Sequence, residues 1–464
     1  MTPISSFFGA LPDSELLNPA GYSPEFLRSV LRTGALRDLF RAETTAEARL
    51  EIVRQCALVS VEMALSLGIA ASLFAHPVSR FAPDLWRSRL EEGFLTGGML
   101  GGMMITEPGC GTDISACETL CRGADGALEI TGVKHWAGLS GLADYWLVLA
   151  RDVPPGAVRR FPSLNFYICR ADPESFKLLK RYGSAGLRSI PYGMTRIAAR
   201  EGVMGPLFSG SRTERFRRIH GVLHRSRISI AAIACGACER IAAEAAAHAA
   251  TRQVFGRALA DYGQVQARIA EIEAARDVSR VLFKVACRES AAADEANADV
   301  NGRNANVVKV VASDLAFASA TSASQLLGGE SYRTDTYIGR TTADLRPFRI
   351  FEGSNDVLCD AIWQAAEKSG RTGGESFQTA VAAAFRKVGL PGPDLTPFAG
   401  VEPDGTLPQG LRCLGGRILA QALCVEWCRA DGLSTAACRP LVARMQRDAD
   451  TAAAWGPDAG LIEY

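Results

Sequence analysis

Apolar residues recur at three- and four-residue steps in "PEFLRSVLRTGALRDLF" and again in "RLEIVRQCALVSVEMALSL". That spacing lays one face of a helix against a core, and it predicts helices over residues 14 to about 100. The glycines of "LTGGMLGGMM" then break the rhythm. Between about 101 and 212 the texture changes to short segments such as "ALEITGVKHW", "DYWLVLAR" and "LNFYICR". These are rich in β-branched and aromatic residues and are separated by Gly, Asp and Pro, which predicts an antiparallel sheet or barrel. From about 215 to 368 the helical period returns in "RISIAAIACGACERIAAEAAAHAATRQ", "QVQARIAEIEAARDVSRVLFKVACRES", "NANVVKVVASDLAFASATSASQLLGG" and "NDVLCDAIWQAAEKSG". The last two end in Gly, which suits a helix C-terminus. Four long helices in succession predict a four-helix bundle. "RTGGESF" reads as a linker, and more helical text follows, split by the Pro/Gly-rich "VGLPGPDLTPFAGVEPDGTLPQG". The expected fold is therefore mainly α with a middle β domain. Residues 1–100 form an N-terminal helical domain and 101–212 an antiparallel β-barrel-like domain. Residues 213–370 form a C-terminal four-helix bundle, and 371–464 a helical C-terminal extension without an assigned role.

Composition narrows the classes. The chain has 464 residues, 48% hydrophobic and 22% charged, with a formal net charge of +1. That is ordinary globular composition, with no global pull toward nucleic acid or anionic lipid. The start of the chain lacks a basic leader followed by an apolar run, so no secretory signal is expected. The most apolar run, "VEMALSLGIAASLFAHPV", carries Glu62, two glycines and a closing His-Pro, which favours a buried core helix over a membrane span. Thirteen cysteines are irregularly spaced, many within apolar helical patterns. Cys235 and Cys238 form a C-x-x-C without a second pair at zinc spacing, so they read as small buried hydrophobes, and no metal site is expected. An odd count without a signal peptide points to the reducing cytoplasm.

Several segments carry chemistry-bearing residues, and each also has a plain structural reading. "ITEPGCGTD" has glycines at 109 and 111 that let a loop approach a ligand closely and present N–H groups, with hydroxyls at Thr106 and Thr112. A Pro-Gly turn between elements explains it equally well. Trp136 in "GVKHWAG" could cover an aromatic cofactor or fill a core. In "RQVFGRALADYGQVQ" a helix is expected to end at Phe255-Gly256, with Arg252 and Arg257 flanking the turn, able to hold a pyrophosphate or to be solvated. The Gly pair of "QLLGGES" could admit a phosphate, admit another subunit or simply cap a helix. Glu352 in "RIFEGSNDVL" precedes a helix beginning near Ser354, where a carboxylate can be structural or a base.

The order of these segments removes much of that ambiguity. "TEPGxGTD", "GxKHW", "LRSIPYG", "FGRALADY", "QLLGG" and "FEGSNDV" follow one another as in the acyl-CoA dehydrogenase family, over roughly residues 20 to 368. The resemblance implies an FAD-dependent dehydrogenase of an acyl thioester. Met103, Ile105, Thr106, Gly111 and Thr112 would line the flavin, and Trp136 would sit beside the isoalloxazine. Arg252 and Phe255 would reach FAD across a dimer interface, as would Gln325, Gly328 and Gly329. Arg227 would lie near the acyl chain and base. Glu352 falls on the family's commonest catalytic-base position, where a carboxylate removes the proton α to the thioester carbonyl while flavin N5 takes the β-hydride. Implied partners are an acyl-CoA or acyl-carrier-protein thioester, an electron acceptor that is either an electron-transfer flavoprotein or oxygen, and further copies of the chain in a homo-dimer or homo-tetramer.

The chain also departs from that pattern. Gly138 stands where many members have a Thr or Ser near flavin N5, unless Ser140 supplies the hydroxyl. Gly263 replaces a frequent Gln, Phe351 a common Tyr, and His224 an Asp three residues before Arg227. "SRTERFRRIHGVLHRSR", read as the lead-in to the first bundle helix, is a solvated basic face or a docking surface for CoA phosphates or an acidic carrier protein. The alternative activity on the same scaffold is an acyl-CoA oxidase or a flavin-dependent monooxygenase. A helical binding protein that has lost its flavin is the third reading.

Overall fold

The structure, a computed structural model, describes residues 3–41, 43–96, 98–124, 127–153, 163–371, 376–398 and 407–455. The chain divides into two compact units. The first comprises Met1–Ser229 with Asn297–Asp299, the second Ile230–Ala296 with Val300–Tyr464.

The first unit opens with helices whose starts are encoded by hydroxyl caps. The side chains of Ser23, Thr45 and Ser60 accept the N–H groups of Phe26, Ala48 and Met63 at the heads of Pro24–Arg32, Ala46–Ala57 and Val61–Gly68. Such caps satisfy donors that a helix cannot pair internally. A π-helical turn, Ile69–Ala75, continues Val61–Gly68 into His76–Phe81. This run is long and apolar enough to cross a membrane by length and composition, yet 83% of its most apolar window is buried within the fold. Glu62, buried inside it, accepts the Arg188 N–H at 2.5 Å and the Ser189 hydroxyl. The charge that interrupts the apolar run thus fastens it to the "LRSIPYG" segment.

Eight strands follow: β1 Gly101–Met104, β2 Leu120–Ala124, β3 Ala127–Gly138, β4 Tyr145–Val153, β5 Ser163–Arg170, β6 Phe176–Arg181, β7 Tyr192–Ala199 and β8 Val203–Pro206. They form one sheet in the order β6-β7-β3-β2-β4-β5-β8, with β1 also on β4. The sheet is not wholly antiparallel as the residue pattern suggested, because β1 and β2 both pair with β4 in parallel. Parallel neighbours need a long connection. The chain between Met104 and Tyr145 supplies one, and it contains the "TEPGCGTD" loop.

The expected start of the first long helix is corrected. Arg212–Thr251 is one helix of 40 residues, about 60 Å at 1.5 Å per residue. The basic "RTERFRRIHGVLHRSR" is its first turns rather than a lead-in. Ser211 and Glu214 explain this start: the Glu214 N–H donates to the Ser211 hydroxyl, while the Ser211 N–H donates to the Glu214 carboxylate at 2.7 Å. That is a capping box.

The second unit continues with Gly263–Glu295, Gly302–Leu327, Tyr337–Leu345 and Asn355–Arg371. Phe377–Lys387, Gln409–Ala430 and Thr435–Trp455 follow. Trp363, Phe377 and Phe398 meet with ring centroids 5.0–5.9 Å apart, so the C-terminal residues share a core with the helix that follows Glu352. The linker read in "RTGGESF" and the Pro/Gly-rich split fall partly at 372–375 and 399–406, outside the described residues. None of the thirteen cysteines is in a disulfide, and all but Cys413 are buried. Among the described residues no group of three His, Cys, Asp or Glu is placed to hold a metal.

Candidate functional site

In the first unit the "TEPG" loop leaves β1 and closes on itself. The Glu107 and Cys110 backbones exchange hydrogen bonds of 2.8 and 3.0 Å. The loop is anchored by β3. The His135 N–H donates to the Thr106 carbonyl at 2.9 Å. The Lys134 ammonium, fully buried, donates to the Ile105 carbonyl at 2.8 Å and to Glu107 Oε1 at 2.7 Å. Burial alone would push the Glu107 carboxyl up. The Lys134 charge and the N–H groups of Glu118 and Thr119 outweigh it and hold the pKa at about 2. Pairing is what allows two charges to be buried here. Met103 is buried behind the loop, Ile105 and Thr106 are half-buried, and Gly111 and Thr112 are exposed on it.

Trp136 follows Lys134 by two residues and is not a core residue. Its φ is 58°, β3 bulges between His135 and Ala137, and 53% of the residue is exposed. A left-handed aromatic residue inside a strand is a backbone outlier, and a bulge is a device for re-aiming a side chain. Tyr182 lies against it at 4.5 Å between ring centroids. An exposed indole on a fixed strand and an open glycine loop fit the flat, polar-edged ring system of a flavin.

Gly138 ends the same strand. A Cβ there would meet Ile69 Cδ1, the tip of a flexible side chain on the π-helical turn, at 2.7 Å, so a larger residue would stand there only after that tip shifts. Ser140 is buried, and its hydroxyl donates to the Ala137 carbonyl at 2.7 Å. On the helix Arg212–Thr251, Arg227 is buried near His224. Desolvation, then the Arg227 charge, then His220, lower the His224 pKa to about 4, so this imidazole is neutral at pH 7.

The second unit carries the remaining candidates. Glu352 sits between the turn Arg346–Arg349 and the helix Asn355–Arg371, two residues before Ser354, whose hydroxyl faces the Val357 N–H. Its φ is 59° and that of Gly353 is 91°. A left-handed conformation costs a non-glycine residue roughly 1–2 kcal/mol, so surrounding bonds must impose it. They do. The fully buried Lys309 donates to the Gly353 carbonyl and to Asn355 Oδ1, both at 2.7 Å. Asn355 Nδ2 donates to Ser313 Oγ at 3.1 Å and to Asp314 at 2.9 Å, and Arg349 bonds Asp314 at 2.5 Å. The sequence pattern assigns neither lysine a role, although Lys309 is a lone cation in the apolar run "VVKVVA" and Lys134 lies within the "GxKHW" segment.

The helix expected to end at Phe255-Gly256 ends at Thr251 instead. Gln253–Val254 and Arg257–Ala258 pair as a hairpin, with Phe255 and Gly256 as its two-residue turn at φ 48° and 77°. Such turns need two left-handed residues because that twist matches the strands. Arg252 is exposed, and Phe255 at the tip is 97% exposed. Gln325, Gly328 and Gly329 are exposed at the end of Gly302–Leu327. Gly328 has φ 59°, and a Cβ on either glycine would meet nothing within 4 Å.

Two family models match the chain and together cover more than half of it. They are described as acyl-CoA dehydrogenase, middle domain, over residues 102–199, and acyl-CoA dehydrogenase, C-terminal domain, over residues 216–366. The short-chain specific acyl-CoA dehydrogenase of Megasphaera elsdenii is 26% identical over 320 residues, covering 66% of this chain and 78% of that protein. An acyl-CoA dehydrogenase of Bacillus anthracis, solved with FAD, superposes with a TM-score of 0.78 at 16% identity, over 97% of this chain and 86% of its own. The prolyl acyl carrier protein oxidase AnaB superposes with a TM-score of 0.68 at 16% identity, over 78% of this chain and 96% of its own.

Three outcomes follow from this geometry. Glu107→Gln leaves Lys134 buried without its counter-charge and should cost about 3–5 kcal/mol at neutral pH. Because the folded-state pKa of Glu107 is depressed, its contribution is complete above about pH 4.5 and fades toward about pH 2. Melting temperatures of the two proteins should therefore converge as pH falls through that window. Gly138→Thr should cost about 1–3 kcal/mol by overpacking, and Ile69→Val, which deletes Cδ1, should recover most of it in the double variant. Lys309→Met removes the donor to the Gly353 carbonyl and leaves Asn355 Oδ1 only the long Ser313 bond, and should cost about 1–3 kcal/mol in thermal unfolding.

Proposed function

Since the chain belongs to the acyl-CoA dehydrogenase family, FAD-dependent oxidoreductases acting on CH–CH bonds, we propose that it catalyses α,β-dehydrogenation of an acyl thioester with Glu352 as the base. The observation that carries this reading is the Glu352 loop. A carboxylate residue is held in a strained left-handed backbone by a buried lysine, at a site where a plain helix cap would need neither the strain nor the lysine.

In this reading FAD, when bound, supplies the acceptor for the β-hydride. The chain's own residues do the rest. The "TEPG" loop, with Met103, Ile105, Thr106, Gly111 and Thr112, presents hydroxyl and N–H groups to the flavin, and Trp136 covers its ring. Glu352 takes the α-proton onto its carboxylate, splitting the loss of two hydrogens into a proton and a hydride. Arg227, with neutral rather than acidic neighbours at His220 and His224, faces the acyl end. Arg252, Phe255, Gln325, Gly328 and Gly329 would hold the FAD of a second copy, in a homo-dimer or homo-tetramer. The nearly complete exposure of Phe255 and the open space over both glycines support that role. In this reading the long helices within 213–370 form a four-helix bundle, 101–212 a β domain and 1–100 a helical domain. Free, buried thiols accord with a cytoplasmic setting.

A second reading, an oxidase or monooxygenase on the same scaffold passing electrons to oxygen instead of an electron-transfer flavoprotein, is favoured by one feature. Gly138 offers no hydroxyl, and the Ile69 side-chain tip takes up the space beside it. The carrier-protein oxidase among the fold neighbours shows that this fold also hosts such proteins.

Anaerobic mixing of FAD-loaded protein with acyl-CoA and acyl-carrier-protein thioesters tests the first reading. Flavin absorbance should bleach with the accepted thioester. Glu352→Gln should keep its FAD and bleach about 10²–10⁴-fold more slowly. Bleaching at the normal rate would place the base elsewhere, and failure to acquire flavin absorbance after FAD addition would remove both enzyme readings. Oxygen consumption with peroxide release in air would favour the oxidase.

A further inference from the structure

The C-terminal residues lie beyond the family models, and the carrier-protein oxidase is matched almost completely by 78% of this chain. The Bacillus anthracis structure, by contrast, is matched by nearly all of it. The helix Gln409–Ala430 runs against Asn355–Arg371, the helix that begins three residues after Glu352. The approach is backbone to backbone. A Cβ on Gly416 would lie 1.9 Å from the Cys359 carbonyl oxygen, and one on Gly415 would lie 2.5 Å from the Trp363 ring. Either residue must be glycine for the helices to sit this close. Polar contacts bracket that point. Arg417 Nη2 bonds Asp356 Oδ1 at 2.9 Å, Cys413 Sγ donates to the Asp356 carbonyl at 3.3 Å, and Arg412 Nε bonds Asp360 Oδ1 at 2.7 Å.

All of these contacts but that of Gly415 with Trp363 fall on the first two turns of the helix. Asp356 remains largely exposed, so its pair with Arg417 adds little to overall stability. What the contacts jointly fix is the rotation and axial position of the helix start, and that start carries Ser354, Asn355 and the Glu352 loop. Lys309 fixes the same loop from the helix Gly302–Leu327. We propose that Gln409–Ala430 is a positioning element for the catalytic base, holding the first turns of Asn355–Arg371 through Gly416 and Arg417 so that Glu352 keeps its orientation. This rests on the reading of Glu352 as the base.

The test uses the whole chain, FAD-loaded, carrying Gly416→Ala or Arg417→Gln, with Arg417→Gln guarding against a Gly416 variant that does not fold. Two quantities are read: amide hydrogen exchange of the segment 349–358, and the rate and half-saturation of thioester-driven bleaching. The proposal expects exchange about tenfold faster in that segment with the FAD content unchanged. Bleaching should slow several-fold while half-saturation stays within about twofold, the pattern of a lost transition-state contribution. Unchanged exchange in folded variants overturns it, as does faster exchange with unaltered bleaching where Glu352→Gln abolishes bleaching. If bleaching survives in Glu352→Gln while exchange still responds, the brace stands and the base assignment fails.

Discussion

A fully buried lysine ammonium bonded to a loop carbonyl is the interaction on which both halves of the candidate machinery depend. Lys309 holds the carbonyl of Gly353, and Lys134 holds that of Ile105. In each case the second partner is a side chain on or beside the same loop, Asn355 or Glu107. A buried ammonium must be met by several acceptors or lose its charge. Once it is so met, the loop cannot move without breaking more than one charge-assisted bond. That rigidity explains how Glu352 and Trp136, both at positive φ, keep backbones that isolated peptides would abandon.

The elements were largely legible in the residue pattern, because helix period and closing glycines act locally. Gly328 after Gly302–Leu327 is an example. The misses share a cause. The helix Arg212–Thr251 starts earlier than its apolar period because the Ser211–Glu214 box, not burial, sets its head. The parallel pairings of β1 and β2 with β4 are decided by which strands meet in three dimensions, and no periodicity records that. The hairpin at Phe255-Gly256 was read as a helix end because both solutions use the same left-handed glycine.

The candidate site was legible as an order of motifs and much less so as chemistry. Nothing local distinguishes Glu352 from an ordinary acid ahead of a helix. The distinction lies in Lys309, more than forty residues upstream. The segment alone leaves Trp136 open between core and cofactor cover, because strand alternation buries such residues, and the bulge at that position is what brings it out. The C-terminal helices carried no motif at all. Their significance is steric, in the close approach of Gly416 to Cys359, and sterics of that kind become visible only once the helices are placed.

The proposed removal by Glu352 of a proton α to a thioester carbonyl can be watched apart from hydride transfer. An acyl thioester that lacks β-hydrogens cannot reduce the flavin but can still exchange its α-protons. Incubated in heavy water with the FAD-loaded protein, it should gain deuterium at the α carbon by mass spectrometry, and with Glu352→Gln it should gain none above the uncatalysed rate. Equal deuterium uptake with both proteins would contradict the claim.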